Sequence, residues 1–150
     1  IAEELKIRFV TGDETDVLGR LIECGRLAGA TDIFRITSES PFLYFEEVEQ
    51  HWSHHVANDL DATMMDTIID GCGFEILSQS ALETSHRDGE DRHRSELCSL
   101  FIRENHQRFK TVRVEPPKKL QRMDLRLTVD NPEDLGSIIN RIDAEINGLF

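Results

Sequence analysis

Two carboxylates follow predicted β-strands closely, at positions where an α/β sheet places its ligands. Glu39 comes just after the predicted strand 33–37, and Asp130 comes directly after the predicted strand 125–129. Ligands of open α/β sheets bind outside the carboxyl ends of the strands. A hard cation such as Mg²⁺ takes oxygen ligands, usually one or two carboxylates together with substrate phosphates. The pair therefore predicts a magnesium site suited to chemistry on phosphates.

Each of these carboxylates also has a purely structural alternative. Asp130 could assist the cap of the helix that Asn131 and Pro132 open, and Glu39 could be an exposed loop acid. Caps of this kind are common, so on spacing alone the structural alternative is the more frequent case.

Arg126 shares a predicted strand face with Asp130. The alternation along residues 125–129 turns Arg126, Thr128 and Asp130 to one side and the apolar side chains to the other. An arginine beside an acid can clamp a phosphate or a carboxylate, or it can form a structural ion pair. Taken alone, the ion pair is the commoner arrangement.

Three histidines on one predicted helix offer a second candidate metal site. His51, His54 and His55 are spaced so that two imidazoles could share a helix face. The surrounding glutamates favour a solvated polar face instead, and the spacing lacks the glutamate of a zincin motif. No Gly-rich phosphate loop, nucleophile elbow or local Cys–His signature is present, so covalent nucleophilic catalysis has no support in the sequence.

Composition excludes several functional classes. The 150 residues carry 17 basic and 29 acidic side chains, a net charge of −12, which argues against a general nucleic-acid binder. No apolar run approaches the ~20 residues that a membrane span needs, and the charged N-terminus is unlike a signal peptide. Three widely spaced cysteines indicate reduced thiols, which predicts a cytoplasmic protein.

Residues 110–126 form a basic island with six basic and two acidic residues, a modest sign of an anion site.

Apolar periodicity and turn signals predict alternating strands and helices in a single domain, 1–150. The expected fold class is α/β, with a mostly parallel or mixed sheet flanked by helices. Strands are predicted at 6–10, 33–37, 74–77, 111–114 and 125–129, with a weak extended stretch at 62–65. Helices are predicted at 16–28, 40–56 and 95–104, after Ser78 or Ser80, and from Asn131 onward, where Leu135, Ile138, Ile139, Ile142 and Ile146 form an apolar stripe.

Four segments resemble the spore-coat-polysaccharide type of cytidylyltransferase, a relative of the CMP-KDO and CMP-acylneuraminate synthetases. They are DVLGR at 16–20, FRITSESP at 34–41, the stretch from Asp70-Gly71 through FEILS at 74–78, and DLRLTVDNPED at 124–134. The last segment is long and specific, and the order and spacing of all four fit the family over nearly the whole chain.

The resemblance implies a nucleotide-diphospho-sugar-transferase-like fold that transfers CMP from CTP to an acidic or phosphorylated sugar and releases pyrophosphate. It implies a homodimer, for which the region 62–114 is the candidate interface. It also implies that Glu39 and Asp130 hold Mg²⁺ and act in catalysis with Arg126. Phosphate charge would be offset by Lys118, Lys119 and Arg122, and the sugar would be bound by Arg35, Glu75, Arg94 and Glu96.

Several departures from the family pattern support a second hypothesis. The family's basic Gly-rich loop is absent, and the chain opens with Ile1, which suggests the C-terminal part of a longer domain. Glu39 stands in place of an aspartate, Leu97 in place of a histidine, and Gly73 in place of an acid. The alternative is a diverged, non-catalytic binding or assembly module of the same fold. We expect these 150 residues alone to bind CTP weakly, and the sequence identifies neither the sugar nor the nucleotide.

Overall fold

The computed structural model describes residues 1–147, including the side chains of residues 1–140. These residues form five α-helices and four β-strands. The helices are α1 Val17–Ala28, α2 Val48–Ala57, α3 Gln79–Asp88, α4 Leu100–Glu104 and α5 Pro132–Asn147. The strands are β1 Asp32–Arg35, β2 Ala62–Met64, β3 Glu75–Ser78 and β4 Thr111–Arg113.

The four strands form one mixed sheet in the order β1-β3-β2-β4. β3 is antiparallel to both β1 and β2, with Asp32 opposite Ser78 and Ala62 opposite Leu77. β2 and β4 are parallel, with Ala62 opposite Thr111. The expected mixed α/β class is therefore confirmed, although among these strands parallel pairing is confined to β2 and β4.

Short-range signals set the ends of two helices. The carboxylate of Asp16 accepts a 2.7 Å hydrogen bond from the amide of Gly19 and caps α1. Gly29 ends α1 with a φ of 64°, a left-handed conformation that glycine adopts without a steric cost. The hydroxyl of Ser78 accepts a hydrogen bond from Ala81 and caps α3.

The sheet separates two apolar clusters because successive strand side chains point to opposite faces. Leu77 packs in the first cluster with α1, α3 and α4, whereas its neighbour Ile76 packs in the second with Phe74 and Met65. Leu18, Leu82 and Ile102 of the first cluster are completely or almost completely inaccessible to solvent.

The prediction of a strand at 125–129 is wrong. This segment is extended but makes a single bridge, between Asp70 and Arg126, with Leu127 donating a 2.8 Å hydrogen bond to the carbonyl of Asp70. The ladder stops there because the next residue, Gly71, has a φ of 89° and turns the chain away. A Cβ at Gly71 would lie 2.9 Å from the amide nitrogen of Thr128, so the close approach requires glycine.

Two predicted helices begin later than their patterns indicated. α2 starts at Val48 rather than near residue 40, because Pro41 favours an extended Ser40 and the amide of Tyr44 is bonded to the carbonyl of Cys72. α4 starts at Leu100 rather than at residue 95. There the hydroxyl of Ser95 accepts a hydrogen bond from the amide of Leu97, a local contact that competes with helix formation.

The predicted strand at 6–10 is also absent, because no other described segment pairs with it. Ile7 and Phe9 are instead more than half exposed. The predicted stripe of α5 is likewise mostly unburied where its side chains are described. Ile138 is buried, whereas Leu135 and Ile139 are about half exposed. Ile142 and Ile146 lie outside the side chains that the structure describes.

Candidate functional site

A cleft of about 440 Å³ lies between the end of β1, the start of β3 and the loop that joins β2 to β3. Its floor is apolar and includes Met65, Ile68 and Phe74. Its polar lining is formed by Arg35, Thr37, Ser40, Asp66, Asp70 and Glu75. Concave sites with an apolar floor and a few placed polar groups are typical of small-molecule binding.

Arg35 and Glu75 form an ion pair on the wall of this cleft. They face each other across the β1–β3 ladder, and Nη1 of Arg35 lies 3.0 Å from Oε2 of Glu75. Their side chains are only 17% and 12% exposed. The other oxygen of Glu75 accepts hydrogen bonds from Ser99 and from Arg103, the latter at 2.8 Å. One carboxylate oxygen of Glu75 is therefore held by Arg35 on the cleft wall, and the other is held by Ser99 and Arg103 from outside the cleft lining.

Arg103 of α4 extends this network to a second acid. Its Nη1 lies 2.7 Å from Oδ1 of Asp66, and its Nε donates a 2.7 Å hydrogen bond to the hydroxyl of Ser99. Burial alone would lower the pKa of Arg103, but its bonds to Glu75 and Asp66 outweigh that effect and raise it above its ordinary value. The guanidinium is thus a fixed positive charge between two carboxylates.

Glu39 and Asp130 lie on adjoining stretches of backbone beside the cleft, and neither of them is part of its lining. The amide of Val129 donates a 2.7 Å hydrogen bond to the carbonyl of Glu39. The carboxylate of Asp130 pairs with Arg126 and accepts a 2.8 Å hydrogen bond from the hydroxyl of Thr128. Arg126 also lies 3.7 Å from Oδ2 of Asp70, so it is an ion-pair partner in this structure.

The cap of α5 is Asn131. Its side-chain oxygen accepts a 3.0 Å hydrogen bond from the amide of Asp134, and the Asp134 carboxylate accepts hydrogen bonds from the amides of Asn131 and Asp130. This reciprocal arrangement is a capping box. The Asp130 carboxylate is therefore not needed to cap the helix.

Carboxylate oxygens at residues 39 and 130 have the donor chemistry that Mg²⁺ prefers. Within the part of the chain that the structure describes, no group of three or more His, Cys, Asp or Glu residues could hold a metal ion. Two carboxylates alone would leave a magnesium ion to take its remaining ligands from phosphates or water, and Arg126 would have to release Asp130 first.

A comparison with solved structures finds a protein of similar fold. The chain is 21% identical to a cytidylyltransferase of Leptospira borgpetersenii serovar Hardjo-bovis, with a TM-score of 0.77 over 89% of this chain and 58% of that one. The chain has a cytidylyltransferase fold. No protein-family model matches it.

Two curated proteins share sequence with this cytidylyltransferase-fold chain. It is 28% identical to the uncharacterized protein MJ1063 of Methanocaldococcus jannaschii over 134 residues, or 89% of this chain. It is 24% identical over 132 residues, 87% of its length, to the spore coat polysaccharide biosynthesis protein SpsF of Bacillus subtilis. In each case the match spans 55% of the relative. No helix among residues 1–147 combines the length and apolar character that crossing a membrane requires.

The cleft brings together some of the other residues predicted from the sequence, but not all. The main-chain carbonyl of Glu96 accepts a 2.5 Å hydrogen bond from Arg35, so this residue meets the cleft through its backbone, while its side chain is exposed. Arg94 lies 3.3 Å from Asp91 and is not part of the cleft lining.

The basic side chains of residues 110–126 also lie outside the cleft lining. Lys118 and Lys119 are exposed, and Arg122 is bonded to both oxygens of Asp124. Those bonds lower the pKa of Asp124 to about 2.

The interpretation of the histidines as a solvated face is wrong for His55. This side chain is completely buried, with Nδ1 2.9 Å from the hydroxyl of Thr63 and Nε2 3.2 Å from Oδ1 of Asp32. Burial lowers the pKa of His55, although Asp32 opposes this shift. His55 therefore joins α2 to the sheet and is not available to a ligand.

Sequence reasoning missed Asp66, Ser99 and Arg103. Asp66 closely follows β2, just as Glu39 follows a predicted strand. The sequence at 62–65 predicted only a weak extended stretch, so Asp66 was not selected. Arg103 carries no local signal, because its partners lie in other elements of the chain.

Proposed function

We propose that the protein carrying this chain is a nucleotidyltransferase that transfers CMP from CTP to an acidic or phosphorylated sugar. In this reaction a hydroxyl or phosphate oxygen of the sugar bonds to the α-phosphorus, the bond to the β-phosphate oxygen breaks, and pyrophosphate leaves with the electron pair. A reacting hydroxyl gives up its proton to water. The observation that carries the proposal is the polar cleft beside Glu39 and Asp130 in a fold shared with a cytidylyltransferase. The name of the Bacillus relative, a spore coat polysaccharide biosynthesis protein, favours a sugar acceptor.

The phosphate end of the site would be formed by Glu39, Asp130 and Arg126. Glu39 and Asp130 would hold Mg²⁺, which would offset the negative charge that builds up on the triphosphate. Arg126 would donate hydrogen bonds to phosphate oxygens after leaving Asp130. This role is supported by the position of Arg126, which lies within 4 Å of the carboxylates of Asp70, Asp130 and Asp134.

The sugar end of the site would be the wall that carries Arg35 and Glu75. Glu96 would support it through the carbonyl that holds Arg35. A sugar contact by Arg94 would require this arginine to move from Asp91, and it stays a prediction from the resemblance. Assembly as a homodimer through the region 62–114 is likewise part of the proposal.

One observation favours a non-catalytic binding module as the second candidate. Arg126 already neutralises Asp130, so the site is electrostatically stable without a metal ion. A chain that had lost catalysis could keep this ion pair as a structural link.

Pyrophosphate release from CTP distinguishes the two candidates. The full-length protein would be incubated with Mg²⁺, CTP and a panel of neutral, acidic and phosphorylated sugars. We expect release that depends on both Mg²⁺ and a sugar, and a loss of at least tenfold in Glu39→Gln. Glu49→Gln, an exposed acid on α2, is the matched control and should retain activity. A folded wild-type protein that releases no pyrophosphate with any sugar would favour the module.

A further inference from the structure

His93 is buried although the residues around it in the sequence are charged. It belongs to the short 3₁₀ turn Asp91–Arg94, and only 3% of it is exposed to solvent. Its ring meets the ring of Phe101 edge to face, with 5.2 Å between the two centroids. Nδ1 lies 2.8 Å from the amide nitrogen of Glu90, and Nε2 lies 3.0 Å from Oε2 of Glu104. Both ring nitrogens are therefore engaged, and the proposed transfer reaction uses neither of them.

These two neighbours determine where the proton of the neutral ring resides. A backbone amide only donates, so Nδ1 must accept the hydrogen bond from Glu90. An ionised carboxylate only accepts, so Nε2 must carry the proton and donate a hydrogen bond to Glu104. The bonds from Arg92 and from His93 itself lower the pKa of Glu104 to about 2, which keeps this acid ionised at the pH values at which histidines titrate.

A second proton on His93 would preserve one of these contacts and break the other. The imidazolium donates from both nitrogens, so Nε2 would keep its bond to Glu104, now assisted by charge. Nδ1 would instead direct a proton at the amide proton of Glu90, and the hydrogen bond between them would be lost. The ring and the backbone are close together here, since a Cβ at Gly89 would lie only 3.1 Å from Nδ1. Separating the two donors therefore requires the backbone at 89–90 to move away from the ring.

Glu104 is the one acid of the described residues that lies within 4 Å of a His93 ring nitrogen. The other charged groups on the elements packed around His93 pair with one another. These pairs are Asp16 with His86, Asp88 with Arg87 and Arg108, Glu90 and Glu104 with Arg92, Asp91 with Arg94, and Asp66 and Glu75 with Arg103. Glu104, which stabilises the charged ring, and the Glu90 amide, which stabilises the neutral ring, are therefore the two groups that decide between the two forms.

The turn that contains His93 is continuous with the wall of the cleft. The hydroxyl of Ser95 donates a 3.2 Å hydrogen bond to the carbonyl of Arg92, which ties the turn to the residues that follow it. The carbonyl of Glu96 then accepts a 2.5 Å hydrogen bond from Arg35, a residue that lines the cleft. Movement of the turn is therefore transmitted to Arg35 through the main chain.

We propose that His93 is a pH-sensitive latch. The neutral ring holds residues 90–96 closed against α4, and protonation of Nδ1 releases the Glu90 amide and opens this segment. The opening loosens the bond between Glu96 and Arg35 and so changes the wall of the cleft in acid. The latch rests on the two hydrogen bonds of the imidazole ring, and it is independent of the proposed function.

NMR of the full-length protein labelled with ¹⁵N tests the latch between pH 8 and pH 5. At pH 8 we expect the ring shifts of His93 to show a proton on Nε2 and a lone pair on Nδ1. As the ring becomes charged, the exchange protection of the Glu90 amide, corrected for the intrinsic rate at each pH, should fall at least about tenfold, the scale of one lost hydrogen bond. The protection of the Ile76 amide in the sheet should decline by a smaller factor, which distinguishes local opening from unfolding of the whole domain.

Two substitutions test whether the His93 ring causes this response. His93→Asn places an amide oxygen near the position of Nδ1 that accepts from Glu90 but takes up no proton in this range. Protection of the Glu90 amide should then change with pH only as much as that of Ile76. Glu104→Gln retains an acceptor for Nε2 but removes the charge that stabilises the imidazolium, so protection should be lost about one pH unit lower. His106→Asn, at an exposed histidine beyond α4, is the matched control and should behave as the wild type.

Three results for the wild type would each overturn the latch: a proton on Nδ1 at pH 8, a ring that stays neutral down to pH 5, or Glu90 protection that is unchanged when the ring is charged. The wild-type pH response in a folded His93→Asn protein would also overturn it. If His93→Asn does not fold, Glu104→Gln decides, because loss of protection at the same pH as in the wild type would contradict the proposal.

Discussion

The amide of Val129 donates a 2.7 Å hydrogen bond to the carbonyl oxygen of Glu39. This bond joins the segment after β1 to the segment before α5, two parts of the chain that are far apart in sequence. Asp130 directly follows Val129, so the two acids of the proposed magnesium site lie on neighbouring stretches of main chain. The juxtaposition depends on Gly71, which lets residues 127 and 128 pass close to the β2–β3 loop.

The substitution Asp130→Asn distinguishes a role of Asp130 as a metal ligand from a purely structural role. Because Asn131 caps α5, the substitution removes only an exposed ion pair with Arg126, worth at most about 1 kcal/mol. We expect the melting temperature to stay within a few degrees while Mg²⁺-dependent nucleotidyl transfer by the full-length protein falls by orders of magnitude. Thermal melts and pyrophosphate release would measure the two effects.

The control for Asp130 is Asn131→Ala, which removes the cap but no candidate ligand. It should cost about 1 kcal/mol of stability and leave transfer largely intact. Full activity in a well-folded Asp130→Asn protein would refute the role of Asp130 as a metal ligand.

Gly71→Ala should destabilise the protein by about 1–3 kcal/mol, because the residue has a positive φ and the new Cβ would strike the backbone of Thr128. Gly136→Ala should instead stabilise it by about 0.5–1 kcal/mol, since this position is helical and nothing lies within 4 Å of the added atom. Urea denaturation of both variants gives the comparison. Equal changes in the free energy of unfolding for the two variants would show that Gly71 does not pack closely against the backbone of Thr128.

Stability should fall as the pH drops below about 6.5 because of His55. Burial holds the pKa of the folded-state imidazole below its ordinary value of 6.5, so the unfolded chain takes up a proton that the folded chain refuses. The contribution of the neutral His55 imidazole to the free energy of unfolding is therefore complete above pH 6.5, and it is lost as the pH falls toward the folded-state pKa. Urea denaturation at pH 7.5, 6.5 and 5.5 measures it.

Two variants test whether His55 is the group that causes this pH dependence. His55→Gln should lower stability at every pH and remove the part of the decline that begins near pH 6.5. His54→Gln, at the exposed neighbouring position of α2, should leave the profile as it is in the wild type. A profile unchanged by His55→Gln would place the titrating group elsewhere.

Two leucines test the assignment of the core. Leu82 is completely buried in the cluster formed by α1, α3 and α4, and Leu82→Ala should cost about 2–5 kcal/mol. Leu97, in contrast, is 58% exposed, and Leu97→Ala should cost less than about 1 kcal/mol. Chemical denaturation distinguishes them, and similar losses at the two sites would contradict the described packing.

Features encoded by neighbouring residues were predictable from the sequence. Asp16 and Ser78 cap helices through hydrogen bonds to amides three residues ahead, and Gly29 ends a helix by its own backbone freedom. The strands β1 and β3 were also found within a few residues, since their apolar side chains alternate or run together.

Features that depend on distant partners were not predictable in this way. The alternation at 125–129 resembles a strand, but a ladder requires a neighbour, and Gly71 removes that neighbour after one bridge. His55 belongs to a polar-looking sequence, yet Asp32 and Thr63 from two strands provide partners that permit its burial. For the cleft, Glu75 was identified through the resemblance, whereas Arg103 depended on the folded packing of α4.

The sheet order has a consequence for the route by which the chain folds. β2 and β3 are joined by the loop 65–74 alone. In contrast, the whole of α2 separates β1 from β3, and β4 must reach β2 from beyond α4. Closing long loops costs conformational entropy before any contact compensates for it. The β2–β3 hairpin should therefore form first and serve as the template onto which the outer strands add. Pulse-labelling hydrogen exchange would then find the amides of Ile76 and Leu77 protected earlier than those of Val112.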